Sequence, residues 1–207
     1  INQLKKAKNI CLIAHLEPDA DALCSMVVFK NFLVKNLNAK VDIFADFEHL
    51  PESYDCMLQN QILNPTPTDY DIAVMMDSPR TERLGEFEKL FLQAPNKLVI
   101  DHHATNEFDQ KQNIVEIVSS TCEIVFKILS ENNYSFSKAD YGMIYAGIIT
   151  DTNNLTVGAM NEQTFDIVGK CAQNVEIYPI YENFMLNNTM QNMQILASAI
   201  LNCKSFA

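Results

Sequence analysis

Short apolar runs alternate with longer segments of helical periodicity along much of this 207-residue chain. A nearly continuous apolar run is typical of a strand that is covered on both faces, as in a parallel sheet. Strands are predicted at residues 9–15, 40–46, 71–77, 97–102 and 113–118. Helices are predicted between them at residues 21–37, 51–63 and 81–93. The alternation therefore predicts an α/β fold, with a mostly parallel five-stranded sheet and helices on both faces.

The pattern becomes helical from Ser119 onward. Residues 120–123 are interpreted as a capping box that begins a helix ending near residue 131, and Ser137 predicts a further helix start. Later helices are predicted at residues 162–174 and 179–203, and the last of these is nearly free of charge after Glu182. The C-terminal part of the chain is therefore predicted to be helical.

Composition excludes several classes of protein. A net charge of −11 disfavours binding of a long nucleic-acid duplex, which normally requires a basic surface. No apolar run reaches the roughly 18 residues that a membrane span requires, so no membrane contact is expected. The six cysteines show no C-x-x-C spacing. The absence of such pairs favours small buried thiols in a reducing compartment over disulfides or a thiolate zinc site. A cytoplasmic location is therefore expected.

Acidic and histidine residues recur where the apolar runs end. They are His15, Asp19 and Asp21, then Asp77, then Asp101, His102 and His103, and finally Asp151. Ligands of open α/β sheets bind beyond the carboxyl ends of the strands, so His15, Asp77 and His102 are expected to meet at one edge. Carboxylates and imidazoles held in this way can bind two divalent cations side by side, an arrangement that drives phosphate-ester hydrolysis.

Three of these clusters also have a structural explanation. One aspartate of residues 15–21 could cap the following helix, Asp77 could cap the helix near residue 81, and Asp151 could end a turn. Capping does not explain a histidine at the end of an apolar strand, or two adjacent histidines beside an aspartate. His49, in a loop, is interpreted as a surface residue. Taken together, the clusters favour metal binding over coincidence.

The clusters resemble the motifs of the DHH phosphoesterase superfamily, which includes RecJ-type exonucleases, nanoRNase/pAp phosphatases and family II inorganic pyrophosphatases. The first motif, His-x-x-Pro-Asp-x-Asp, matches residues 15–21; the second matches Asp77, the third residues 101–103 and the fourth Asp151. Residues 119–123 also resemble a stretch frequent in the nanoRNase branch. The resemblance extends over roughly residues 9–190, although Ala20 and Cys24 stand where the family often has glycine.

The resemblance implies two Mn²⁺ ions per chain, with Mg²⁺ or Co²⁺ as alternatives. One ion would be held by His15, Asp19 and Asp77, and the other by Asp21, Asp77, His102 and Asp151. Asp77 would bridge the ions, whose shared water would attack phosphorus. Catalytic roles are implied for Asp77, Asp101, His102 and His103: His103 would face the substrate and Asp101 would orient a ligand. Arg83 is expected to pair with a structural carboxylate rather than with substrate.

The function implied is hydrolysis of short oligoribonucleotides (nanoRNA), releasing 5′-mononucleotides, or of 3′-phosphoadenosine 5′-phosphate. The expected partner is thus a small phosphorylated nucleotide or a short oligoribonucleotide, and the sequence leaves open whether the protein forms a homodimer. An inorganic pyrophosphatase is the first alternative, although such relatives usually carry Asn where this chain has Glu17. A non-catalytic nucleotide-binding or regulatory module is the second alternative.

Relatives carry a second domain with a glycine-rich substrate-binding motif, and the five glycines of this chain form no such cluster. We therefore expect residues 1–185 to form a DHH catalytic domain. Residues 186–207 are expected to form a linker helix toward a C-terminal substrate-binding domain that lies outside this sequence.

Overall fold

Five strands form a single parallel sheet in the computed structural model, which describes residues 3–48, 50–58, 61–109, 112–186 and 190–202. The strands are β1 (Asn9–Ile13), β2 (Lys40–Phe44), β3 (Ile72–Met76), β4 (Lys97–Asp101) and β5 (Ile114–Val115). Their order is β2-β1-β3-β4-β5, and every neighbouring pair is parallel. The predicted five-stranded α/β fold is confirmed, with strands somewhat shorter than predicted. His49 and Cys203 lie outside the described residues.

Eight α-helices complete the described fold. They are α1 (Ala20–Leu37), α2 (Asp55–Leu58), α3 (Glu88–Gln93), α4 (Thr121–Glu131), α5 (Lys138–Asp151), α6 (Glu162–Asn174), α7 (Ile177–Tyr181) and α8 (Met190–Leu201). Short 3-10 helices occur at Leu4–Lys6, Glu52–Tyr54 and Thr81–Phe87, and a π-helix at Glu182–Leu186. None of the helices in the described part of the chain is long and apolar enough to cross a membrane.

Both faces of the sheet are buried, because successive side chains of a strand point to opposite sides. In β1, Ile10 and Leu12 join the larger apolar cluster, which also includes α1, α4 and α5. Cys11 and Ile13 point the other way, into a smaller cluster that Phe91 of α3 covers. The double coverage explains why the strands read as nearly continuous apolar runs. Among the described cysteines, all but the exposed Cys56 are buried free thiols, as predicted.

Two predicted helices differ from the structure. The predicted helix 51–63 is wrong at residues 61–63, because the Asn64 side chain exchanges hydrogen bonds with both backbone groups of Ala45 and draws these residues alongside β2. Residues 59 and 60 lie outside the described residues. Leu63 accordingly forms an isolated parallel bridge with Ile43. The predicted helix 81–93 is divided at Gly85, whose φ of 57° is left-handed and does not continue a helix.

The predicted caps of the helices near the site are only partly present in the structure. Asp19 caps α1 by accepting the N–H of Ala22 at 3.0 Å. Ser120 caps α4 by accepting the N–H of Glu123 at 3.1 Å, but the Glu123 carboxylate turns away to the hydroxyl of Ser119. Only half of the predicted capping box therefore forms, since the glutamate has a buried partner elsewhere. The described residues of the predicted helix 179–203 form the end of α7, the π-helix and α8, while residues 187–189 and 203 lie outside the described part of the chain.

Candidate metal centre

The carboxyl ends of three neighbouring strands bring the first three motifs to one edge of the sheet. His15 follows β1, Asp77 directly follows β3, and His102 directly follows β4. Parallel strands end at the same edge, so the positions that follow them converge as expected. Asp151, by contrast, is the last residue of α5, so a helix delivers the fourth motif.

Asp77 lies at the middle of this edge and is only 2% exposed. Its Oδ2 atom is 3.6 Å from Nε2 of His15, and its Oδ1 atom is 3.6 Å from Nε2 of His102. The Asp77 backbone is left-handed, with a φ of 56°, a conformation that aspartate and asparagine tolerate better than most residues. Each oxygen of one carboxylate thus faces a different imidazole.

Two groups of potential ligand atoms share Asp77. His15, Asp19 and Asp77 form one group, and Asp77, His102 and His103 form the other, each with its ligand atoms within 4.8 Å of one another. Asp151 adjoins the second group, with Oδ2 3.4 Å from Nε2 of His102. Mixed imidazole and carboxylate sets of this kind suit divalent cations such as Mn²⁺ and Zn²⁺.

The histidine rings are held so that their Nε2 atoms face the cluster. Nδ1 of His15 donates to the carbonyl of Leu16 at 2.7 Å, and Nδ1 of His102 donates to the carbonyl of Val118 at 3.1 Å. Backbone acceptors of this kind fix the tautomer of metal-binding histidines. Nε2 of His102 is buried without any hydrogen-bond partner among the described residues. An orphaned imidazole nitrogen beside carboxylate oxygens fits a metal ligand.

The N-terminus of α4 fixes two carboxylates of the site. Asp21 is fully buried, and its oxygens accept the N–H groups of Thr121 at 2.6 Å and Cys122 at 2.9 Å. Asp21 is not in either of the two ligand groups, and its predicted role as a metal ligand stays a prediction. The Thr121 hydroxyl donates to Oδ1 of Asp77 at 2.9 Å. Both contacts place negative charge at the positive end of a helix dipole.

A close approach between α4 and α5 supports this arrangement. A Cβ atom on Gly147 of α5 would lie 2.7 Å from Oδ1 of Asp21, and closer still to Sγ of Cys122. Such separations are shorter than van der Waals contact, so a side chain at this position would displace the Asp21 carboxylate. The absence of a side chain at Gly147 is what allows the two helices to enclose it.

Asp101 is placed to orient His103. Oδ1 of Asp101 is 2.7 Å from Nδ1 of His103, and Oδ2 accepts an N–H of Asn106 at 2.6 Å. Asp101 is fully buried, whereas the His103 side chain is 35% exposed. The ring is therefore held from behind by a carboxylate and is open to solvent at the edge of the cluster. This hydrogen bond is the main reason that the pKa of His103 is raised.

The pKa values of three other side chains in the site are shifted by burial and by neighbouring charges of opposite sign. Burial disfavours protonation of His102, but the carboxylates of Asp21 and then Asp77 outweigh it and raise its pKa to about 9. Burial would raise the pKa of Asp77, yet the neighbouring imidazoles reverse this effect and hold it below its usual value. Burial raises the pKa of Asp151 to about 6, against the opposing charge of His102.

Sequence reasoning overlooked two contacts and misjudged a third residue. Neither the Thr121 hydroxyl on Asp77 nor the Asn106 amide on Asp101 could be anticipated, since both depend on how separate loops pack. The expectation that Arg83 pairs with a structural carboxylate is wrong. Its guanidinium forms no ion pair within the described ranges, and Nη2 lies 3.4 Å from Nδ1 of His15.

A comparison with protein families agrees with the arrangement of these residues. The family described as "DHH family, N-terminal domain" matches residues 9–148, more than half of the chain. The chain belongs to the DHH family of phosphoesterases. The matched range begins with β1 and ends within α5, so it encloses every motif except the last, at Asp151.

Two curated relatives carry an activity in their names. A probable bifunctional oligoribonuclease and PAP phosphatase NrnA of Streptococcus mutans is 23% identical over 171 residues, covering 81% of this chain and 53% of the relative. A probable manganese-dependent inorganic pyrophosphatase of Brevibacillus brevis is 23% identical over 180 residues, covering 81% of this chain and 56% of the relative. The chain thus spans about half the length of the curated relatives it matches.

A solved structure shares the fold. An exopolyphosphatase-related protein from Bacteroides fragilis superimposes with a TM-score of 0.87 at 22% identity, covering 99% of this chain and 64% of that chain. The α/β architecture described above is therefore shared with a protein of known structure.

Proposed function

We propose that this chain supplies the catalytic centre of a Mn²⁺-dependent phosphoesterase that hydrolyses short oligoribonucleotides, 3′-phosphoadenosine 5′-phosphate or both. The observation that carries the proposal is the Asp77 carboxylate, whose two oxygens each lie 3.6 Å from a different histidine. This is the arrangement expected of a carboxylate shared by two cations. The name of the Streptococcus mutans relative supports a nucleotide substrate, and the net charge of −11 favours a small one.

The protein would hold one cation on each side of the Asp77 carboxylate. His15 and Asp19 would bind on one side, and Asp21, His102 and Asp151 on the other. Bound divalent cations would supply Lewis acidity and an activated water. Thr121 keeps Asp77 in place, and Asp101 keeps the partly exposed His103 ring oriented toward the solvent side, where substrate would enter.

The proposal is tested by incubating the protein with Mn²⁺ or with EDTA and three substrates. These are a 5′-phosphorylated diribonucleotide, 3′-phosphoadenosine 5′-phosphate and pyrophosphate. We expect Mn²⁺-dependent product release from one or both nucleotides and none with EDTA. Asp77→Asn should abolish turnover, because it removes the shared charge while retaining a side chain that accepts the left-handed backbone. Asp166→Asn, on the exposed surface of α6, is the matched control and should retain wild-type turnover.

Two other outcomes would identify the alternatives. Hydrolysis of pyrophosphate alone would favour an inorganic pyrophosphatase, which the equally similar Brevibacillus brevis relative supports. Nucleotide binding without any product, with metal bound, would favour a binding or regulatory module. Metal content should also be measured: loss of both ions in Asp77→Asn supports a shared ligand, whereas two retained ions would contradict it.

A further inference from the structure

The only two arginines of the sequence, Arg80 and Arg83, line one open groove beside the metal centre. The groove has a volume of about 620 Å³ and is lined by Pro79, Arg80, Glu82, Arg83 and Thr105. It lies between the loop after β3, which carries Asp77, and the loop after β4, which carries His103. Both arginines therefore lie near the edge of the proposed catalytic centre. The net charge of the chain is −11, so positive charge at this edge stands out from the rest of the protein.

The two arginines differ in how their charge is used. Nη2 of Arg80 lies 2.8 Å from a carboxylate oxygen of Glu107, so its charge is already paired. Arg83 is exposed and has no carboxylate partner anywhere in the described residues. Of the two, Arg83 is therefore the guanidinium that remains free to bind an anion.

The contact between Arg83 and His15 does not occupy the N–H donors of the Arg83 guanidinium. Nδ1 of His15 must carry a hydrogen, since it lies 2.7 Å from the carbonyl of Leu16, which can only accept. Arginine has donors and no acceptor, so the 3.4 Å approach of Arg83 brings two donors together and is not a hydrogen bond. The single Nδ1 hydrogen of His15 is thus used by Leu16, and the guanidinium N–H groups of Arg83 remain available to bind an anion.

The backbone holds Arg83 against the first metal-binding motif. Its carbonyl accepts the N–H of Leu16 at 2.6 Å, and the left-handed Gly85 lets the Leu16 side chain pack directly against the backbone. This contact uses only the Arg83 main chain. A substitution of the Arg83 side chain therefore leaves the loop connection in place, which makes the side chain testable on its own.

We propose that Arg83 binds a second phosphate of the substrate, distinct from the phosphate that is attacked at the metal centre. The proposal rests on the proposed function and narrows it to substrates that carry two phosphate groups close together, such as 5′-phosphorylated diribonucleotides. A planar guanidinium can bind a phosphate through two parallel hydrogen bonds, which adds geometric selectivity to charge attraction. Arg83 is thus a specificity-determining residue.

The test compares two diribonucleotides that differ only in a 5′-phosphate, pApA and ApA. The ratio of their kcat/KM values is measured with Mn²⁺ for the wild type, Arg83→Gln, Arg83→Lys and the control Arg80→Gln. We expect the wild type to prefer pApA on the order of 10-fold or more, as a charge-assisted contact implies. Arg83→Gln should bring the ratio close to one, Arg83→Lys should give an intermediate ratio, and Arg80→Gln should retain the preference.

Calorimetric binding of the same two dinucleotides, with Ca²⁺ replacing Mn²⁺, gives a readout that does not require turnover. A higher affinity for pApA that Arg83→Gln removes supports the subsite. A preference that survives Arg83→Gln, or that Arg80→Gln removes equally, overturns it. If the wild type hydrolyses neither dinucleotide, the proposed nuclease function fails, and the calorimetric ratio still decides whether Arg83 binds the 5′-phosphate.

Discussion

Replacing Thr121 with valine tests whether α4 holds the proposed shared ligand in place. The substitution exchanges a hydroxyl for a methyl group of similar size, and it removes the 2.9 Å hydrogen bond to Oδ1 of Asp77. Thr121 is fully buried and Asp77 is 2% exposed, so water cannot replace the lost donor. Hydrogen bonds to charged groups contribute about 1.5–3 kcal/mol to stability. We expect the unfolding free energy of Thr121→Val in EDTA to fall by about this amount.

For a chain of this size, that loss corresponds to a fall in Tm of roughly 3–12 °C. Urea unfolding in EDTA measures the free energy, and a subsequent Mn²⁺ titration by calorimetry measures whether affinity for the metal also falls. Thr121→Ser retains the hydroxyl and should recover most of both quantities. A Thr121→Val protein within about 0.5 kcal/mol of wild type, the range typical of surface substitutions, would refute the reasoning. Equal losses in Thr121→Val and Thr121→Ser would instead assign the effect to the packing of the side chain as a whole, and not to the hydroxyl alone.

Three further predictions concern stability. Gly147→Ala should lower the unfolding free energy by about 1–3 kcal/mol, as overpacking does, because its Cβ would press on the Asp21 carboxylate; Gly169→Ala, with nothing near the added Cβ, is the control for a denaturant titration. Mn²⁺ at 100 times its dissociation constant should raise the unfolding free energy by about 2.7 kcal/mol for each ion bound, and EDTA should reverse the resulting rise in Tm. Thermal unfolding with Mn²⁺, with Mg²⁺ and with EDTA measures these shifts. The Asp71 carboxylate accepts two backbone N–H groups at the start of β1, which lowers its pKa. Its stabilisation is therefore present above the unfolded-state pKa near 4 and lost as pH falls through the lower folded-state value. The difference in urea stability between wild type and Asp71→Asn should accordingly shrink below about pH 4, and an unchanged difference at pH 3 would contradict it.

The position of the site could be predicted from sequence, because it depends on strands that local patterns already specify. Residues that follow β1, β3 and β4 must meet once those strands are parallel neighbours, and His15, Asp77 and His102 do so. The strand assignments in turn rest on apolar runs, which double burial requires. This part of the structure follows from short-range information.

The parts that could not be predicted depend on packing between distant segments. The partner of Asp21 is the N-terminus of α4, a hundred residues away, and no local pattern specifies how α4 meets α1. Residues 61–63 of the predicted helix 51–63 are not helical, because Asn64 binds Ala45 directly after β2, a contact that overrides local periodicity. Arg83 was misjudged for a related reason: its nearest polar neighbour belongs to the first motif, far from it in sequence.

The separation of the ligands along the chain has a consequence for how the protein is made. The two sides of Asp77 are supplied in order of synthesis: His15 and Asp19 come first, His102 follows, and Asp151 comes last, at the end of α5. Domains emerge from the ribosome N-terminal part first, over seconds. A nascent chain that lacks α5 already carries His15, Asp19 and Asp77, but it lacks Asp151, so the second half of the centre is completed only after α5 has docked. Capture of a full metal complement would therefore be a late event in biosynthesis, and it would mark a chain that has finished folding.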